Sequence, residues 1–240
     1  MKNLFSLVLV VFTLLYLSSC TTKTFYQICQ VSPVVKDNNL INQDSLFYED
    51  NNCKVFYDFW SDGGNVGFKF YNKSDKDIIV DLEKSFFILN GVAYNYFKNR
   101  TFSSVDNLIS FNEEKKMCIP PHAAKVITEY EISTTIYRDC DLFKFPKRKQ
   151  IKTKAFKHNA SPYAFSNRIS YSVGNSLVET NISHEFYVSS ITNYPEKEVL
   201  KSTNLEFCDQ ESTTSIPYIK DAAINKFYVK YNNAHDKWKH

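Results

Sequence analysis

The chain has 240 residues, 43% of them hydrophobic and 23% charged, which excludes a disordered chain and allows one large domain or two small ones. Its 29 basic and 26 acidic residues give a formal net charge of +3, so charge offers no reason to expect a nucleic-acid partner. Phe (20) and Tyr (16) dominate the aromatics, while Gly is scarce at 5, which favours strands over helices and over phosphate-cradling glycine loops.

The chain opens with Met1-Lys2-Asn3, a single positive charge, and runs from Leu4 to Leu17 with only Ser6 and Thr13 as polar interruptions. That tract is shorter than the roughly 20 residues of a transmembrane helix and fits the apolar region of a secretory signal. It ends in Leu17-Ser18-Ser19-Cys20. Small residues followed by Cys at the cleavage point resemble the lipobox of bacterial lipoproteins. The resemblance implies removal of residues 1–19, thioether lipidation of Cys20 and acylation, with palmitate for example, of the new amino terminus. The expected organisation is a signal peptide over 1–19, a tether over 20–23 and a single β-rich domain over 24–240, with room for a small C-terminal elaboration. Removing 19 of 240 residues leaves 221, and without Lys2 the 29 basic residues become 28 against 26 acidic.

In the mature chain, Thr24 to Val31 is rich in strand formers and stops at Pro33, which is compatible with an edge strand. Lys36 to Asp44 reads as a polar loop, and Leu46-Phe47-Tyr48 as a short strand before the turn Glu49-Asp50-Asn51-Asn52. Cys53 to Trp60 is a strand, Ser61-Asp62-Gly63-Gly64-Asn65 a hairpin connection, and Val66 to Tyr71 its return, with Val66, Phe68 and Phe70 on one face. Asp77 to Leu82 and Ser85 to Leu89 follow as two strands. Asn90-Gly91 is the strongest short hairpin signal in the chain and leads into Val92 to Phe97. Asn99 to Glu114 reads as a loop. Lys125 to Ile132 alternates, setting Val126, Thr128, Tyr130 and Ile132 on one face against Lys125, Ile127, Glu129 and Glu131. Thr134 to Phe145, free of Gly and Pro, suits a short helix that Pro146 would end. Asn167 to Val173, His184 to Ile191 and Lys226 to Tyr231 are further strands, Tyr194 to Thr214 is ambiguous, and Asp221 could cap one helical turn. Short strands at this spacing predict a mainly β fold, an antiparallel sandwich (immunoglobulin-like or similar) with one or two short helices.

Few residues carry chemistry. After Cys20, five of the six cysteines remain, and none forms a C-x-x-C pair of the zinc-ribbon or thioredoxin kind. In an oxidising compartment at least one disulfide is expected among Cys53, Cys118, Cys140 and Cys208, with buried free thiols, Cys29 included, as the alternative. Gly63 to Gly67 matches neither a P-loop nor a dinucleotide fingerprint, and there is no G-x-S-x-G or H-E-x-x-H. His184 and Glu185 share a strand, so their side chains face opposite ways, and His122 after two prolines belongs to a loop. Asp75 with Asp77, and Asp139 with Asp141, read as solvated turn acids, and no metal or other cofactor is expected. The basic run Lys147, Arg148, Lys149, Lys152, Lys154 and Lys157 is a solvated loop or, on a tethered protein, a contact for anionic lipid, lipid-linked sugar or an acidic partner.

Long runs along the mature chain resemble a group of uncharacterised outer-membrane lipoproteins of Gram-negative gut bacteria. Those carrying it include Cys53-Lys54-Val55, Gly63-Gly64-Asn65, Phe70-Tyr71-Asn72-Lys73, Ser85-Phe86-Phe87-Ile88, Tyr137 to Leu142, Ile191 to Pro195 and Trp238-Lys239-His240. The resemblance implies an envelope lipoprotein and transfers no catalytic or ligand residues. The expected function is a non-catalytic interaction or structural module, held to the membrane by its N-terminal lipid and facing an envelope protein or glycan. A polysaccharide-binding protein or a hydrolase acting on envelope or host glycans is the rival expectation.

Overall fold

A computed structural model describes residues 22–34, 46–103, 110–207 and 210–234. The signal segment with Cys20, the expected loop from Lys36 to Asp44, and Cys208 lie outside them. Among the described residues the strands are, in chain order, β1 (Thr24–Pro33), β2 (Phe47–Glu49), β3 (Cys53–Tyr57), β4 (Phe68–Asn72), β5 (Ile78–Leu89), β6 (Val92–Asn95), β7 (Thr101–Ser103) and β8 (Ser110–Asn112). They continue with β9 (Lys116–Ile119), β10 (Ala124–Ile127), β11 (Thr153–Ala155), β12 (Ala164–Val173), β13 (Thr180–Pro195), β14 (Leu200–Phe207), β15 (Gln210–Ile219) and β16 (Lys226–Asn232). A four-residue helix, α1 (Glu196–Val199), and two 3-10 turns, Arg148–Gln150 and His158–Ala160, complete the list.

The fold is mainly β. An eight-stranded sheet has the order β16-β1-β13-β12-β5-β6, with β11 also on β13 and β9 on β5; a four-stranded sheet has the order β10-β4-β3-β2. Every ladder between named strands is antiparallel. Alternation along the strands decides which face is buried: Cys53, Val55 and Tyr57 of β3, Phe68 and Phe70 of β4, and His184, Phe186 and Val188 of β13 all turn inward. The two sheets meet through these side chains. Tyr57 packs edge-on against Phe186 at 5.0 Å, Phe70 against Tyr171 at 5.4 Å, and the buried Asn167 amide donates to the Val66 carbonyl at 2.8 Å. This sandwich-like packing of antiparallel sheets is the expected fold class.

Several local expectations are realised and several are corrected. Asn90 (φ 49°) and Gly91 (φ 84°) form the tight turn between β5 and β6, with Leu89 opposite Val92. The two strands expected around residues 77–89 are one, β5, bent where the Glu83 and Lys84 amides fold onto the Asp81 carboxylate and Ser85 Oγ donates to the Asp81 carbonyl. β1 is an interior strand, flanked by β13 and β16; Pro33 is tolerated because it is the last residue of the strand. β10 turns the expected face around, with Val126 62% exposed and Ile127 buried.

The helix expected over Thr134 to Phe145 does not form. Buried amide side chains take its backbone groups instead: the Tyr137 N–H donates to Gln27 Oε1 at 2.7 Å, Gln27 Nε2 donates back to the Tyr137 carbonyl at 2.9 Å, and Asn193 Nδ2 donates to the Phe143 carbonyl at 3.0 Å. Asp221 lies in a turn at φ 59° and caps no helix. The ambiguous stretch after Tyr194 is the end of β13, α1 and the β14–β15 hairpin, and β7 and β8 lie in the expected 99–114 loop.

Candidate functional site

The residues that follow Cys20 enter the core almost at once. Thr24 pairs with Asn232 in the β1–β16 ladder, the Lys23 N–H donates to Asn233 Oδ1 at 2.9 Å, and the Asn233 N–H donates to the Lys23 carbonyl at 3.3 Å. On its other side β1 pairs Phe25 with Pro195, which brings α1 to the same end of the sheet. The segment after Pro146 makes a 3-10 turn, held by the Lys147 N–H donating to Gln150 Oε1 at 2.9 Å.

These three segments enclose a groove of about 580 Å³. Its floor is aromatic, with Phe25 and Phe145 5.1 Å apart; outside the lining, Tyr231, whose hydroxyl donates to the Lys144 carbonyl, stacks 5.7 Å from Phe25. Its rim is charged, with Lys23, Lys147, Arg148 and Lys197 alongside Glu196 and Glu198. Arg148 Nε stands 3.4 Å from Glu198 Oε1, but its side chain is 84% exposed, so solvent screens the pair.

The basic run is divided by the fold. Lys147, Arg148 and Lys149 are exposed on the turn, the first two at the groove. Lys152 Nζ sits 5.7 Å over the Phe143 ring. Lys154 is bound to Asp139 at 2.6 Å and Asp141 at 3.0 Å. The hydrogen bond from Lys154 holds the Asp139 carboxyl down to about 2 and keeps the ammonium protonated above its ordinary range. The Asp139 and Asp141 pair therefore serves an internal cation.

Of the expected disulfide set Cys53, Cys118, Cys140 and Cys208, the last lies outside the described residues, and no two of the other three are bridged to each other. Placement keeps those three apart: Cys53 points into the core from β3, whereas Cys118 on β9 and Cys140 in the long loop are exposed. Burial pushes the Cys29 and Cys53 thiols up, which leaves both unreactive. The described histidines are dispersed. His122 Nε2 meets Asp75 Oδ1 at 3.0 Å on the surface, His158 packs on Tyr187, and His184 is buried with Nδ1 2.5 Å from the Tyr57 hydroxyl. Among the described residues no three His, Cys, Asp or Glu groups come together as metal ligands.

Two arrangements had no signal in the sequence because each is completed by a distant segment. Asp50 accepts from the Cys53 and Asn52 amides at 2.7 Å, from Tyr171 at 2.8 Å and from Tyr48 at 3.1 Å. Burial opposes its charge, yet these four donors keep the carboxyl below its ordinary range. The second is a polar cleft of about 470 Å³ between residues 61–65 and 128–134. Arg100 and Lys98 neutralise Glu129 on its wall, while Asp62, Thr128 and Glu131 are exposed. Such a surface offers hydrogen-bond partners to a polyhydroxylated ligand. No family model, no curated protein and no solved structure matches this chain.

Proposed function

We propose that this protein is an envelope lipoprotein, anchored to the outer membrane through Cys20 and serving an interaction or structural role rather than catalysis. The observation that carries the reading is Leu17-Ser18-Ser19-Cys20 at the end of an apolar run, three residues before the first core strand. A membrane anchor placed so close to a packed strand tethers the whole body. The non-catalytic part is supported by the internal use of reactive groups: Lys154 neutralises Asp139 and Asp141, Arg100 bridges Glu113 and Glu129, and His184 is sequestered with Tyr57. Lipidation adds roughly 0.8 kcal/mol of membrane affinity per buried CH₂, so several chains on one residue make a firm anchor.

Cys20→Ala tests the proposal in cells fed a labelled fatty acid. The wild-type protein incorporates label and sediments with membranes; the variant incorporates none and is mislocalised. Equal labelling of the two proteins overturns the lipobox assignment.

A further inference from the structure

We infer that the groove beside Lys23 is the membrane-facing pole of the molecule and that its basic rim binds the phosphate headgroups of anionic phospholipid. The inference rests on Cys20 carrying the lipid anchor. Only Thr21 lies between Cys20 and Thr22, which lines the groove. Fully extended, the two steps from Cys20 to Thr22 span at most about 7 Å. The headgroup layer on each side of a bilayer is itself about 5–7 Å deep, so the groove cannot leave the membrane surface while the acyl chains are inserted.

Nor can the tether lengthen at its inner end. Lys23 is bonded in both directions to Asn233, and Thr24 lies in register with Asn232. The anchor therefore fixes which end of the sheet faces the bilayer. That end carries Lys23, Lys147, Arg148 and Lys197, four cations to the two carboxylates Glu196 and Glu198. Each Lys or Arg near an anionic surface strengthens binding roughly fivefold at low salt. The aromatic floor beneath the rim provides an apolar surface for the glycerol and upper acyl segments.

The opposite pole supplies internal controls. β13 has 16 residues and runs from Thr180 to Pro195 beside the groove, a length of roughly 50 Å at about 3.3 Å per residue. Lys84, which bonds Glu179, and Lys76, which packs at Gly174, mark its far end.

The test uses the full lipidated protein in nanodiscs of phosphatidylcholine, with or without phosphatidylglycerol. Lysines are acetylated briefly and quantified by mass spectrometry. Lys23, Lys147 and Lys197 are expected to be labelled at least threefold more slowly in the anionic discs, with Lys76 and Lys84 unchanged. The triple variant Lys147→Glu, Arg148→Glu, Lys197→Glu, confined to exposed side chains, should abolish the protection of Lys23. Equal labelling of the rim lysines in both discs, with the protein still disc-bound, overturns the headgroup site and leaves the anchor standing. An intact mass without lipid on Cys20 overturns the anchor and this inference together.

Discussion

His184 is the residue whose surroundings make the most specific demand. It is 5% exposed on β13, its Nδ1 meets the Tyr57 hydroxyl, and the Tyr48 ring lies 4.7 Å away. Burial lowers its pKa from 6.5 to about 4, against a smaller opposing pull from Asp50. The folded protein thus keeps the imidazole neutral while the unfolded chain protonates it readily. Stability from this residue is complete above pH 6.5 and falls between pH 6.5 and about pH 4, by up to about 3 kcal/mol at 1.36 kcal/mol per pKa unit. Asp50, held below its usual range, contributes its own loss only under pH 3.8, so the two windows separate. Denaturant midpoints measured from pH 7 to pH 4.5 should therefore slope for the wild type and stay nearly flat for His184→Gln, whose stability at pH 7 is lower by about 1–3 kcal/mol. Parallel slopes would assign the acid sensitivity to other groups.

Among the elements, the connection from β3 to β4 and the end of β10 are bound by a close approach. A Cβ on Gly67 would lie 2.0 Å from the Ile127 carbonyl oxygen and 2.9 Å from Thr128 Cα, both backbone atoms. Gly91 differs: its Cβ would meet nothing, and only the positive φ of 84° resists a side chain. Gly67→Ala should cost about 3 kcal/mol or more as the two segments separate, and Gly91→Ala about 1–2 kcal/mol. Thermal unfolding of the two variants checks the order, and a smaller loss at Gly67 would contradict it. The same contrast explains what could be read from the sequence. Alternation in β3, β4, β13 and β16, and the Asn90-Gly91 turn, are local patterns, and they carried through to the structure. The irregular path of residues 134–145 depends on Gln27 and Asn193, 110 and 50 residues from the groups they bind, so no local pattern announces it. The inward face of β10 is likewise chosen by its partner β4, against which Ile127 pairs with Phe68. For the candidate site, the proposed anchor motif could be named from the sequence because it is contiguous, whereas the groove could not, since residues 22–25, 145–148, 195–198 and 233 meet only in the fold.

At the scale of the whole molecule, sheet order sets the cooperativity. β1 holds Thr24 against Asn232 and Phe25 against Pro195, so it is enclosed by partners drawn from the last quarter of the chain. A protein ending at Asn225 would lose β16 and leave the buried Cys29 and the β1 ladder along an open sheet edge, a template for association between chains. It should therefore accumulate as aggregate rather than monomer on size-exclusion chromatography, and a monomeric, folded product would show that β16 is dispensable. Pairing across such sequence separations also slows folding, because the loop must close before the contacts repay its entropy. The strand synthesised first is thus among the last to have its ladder completed. Until Lys226 to Asn232 is made, one edge of β1 stays open even where β13 already covers the other. Any factor that escorts the nascent chain must keep that edge covered until β16 arrives.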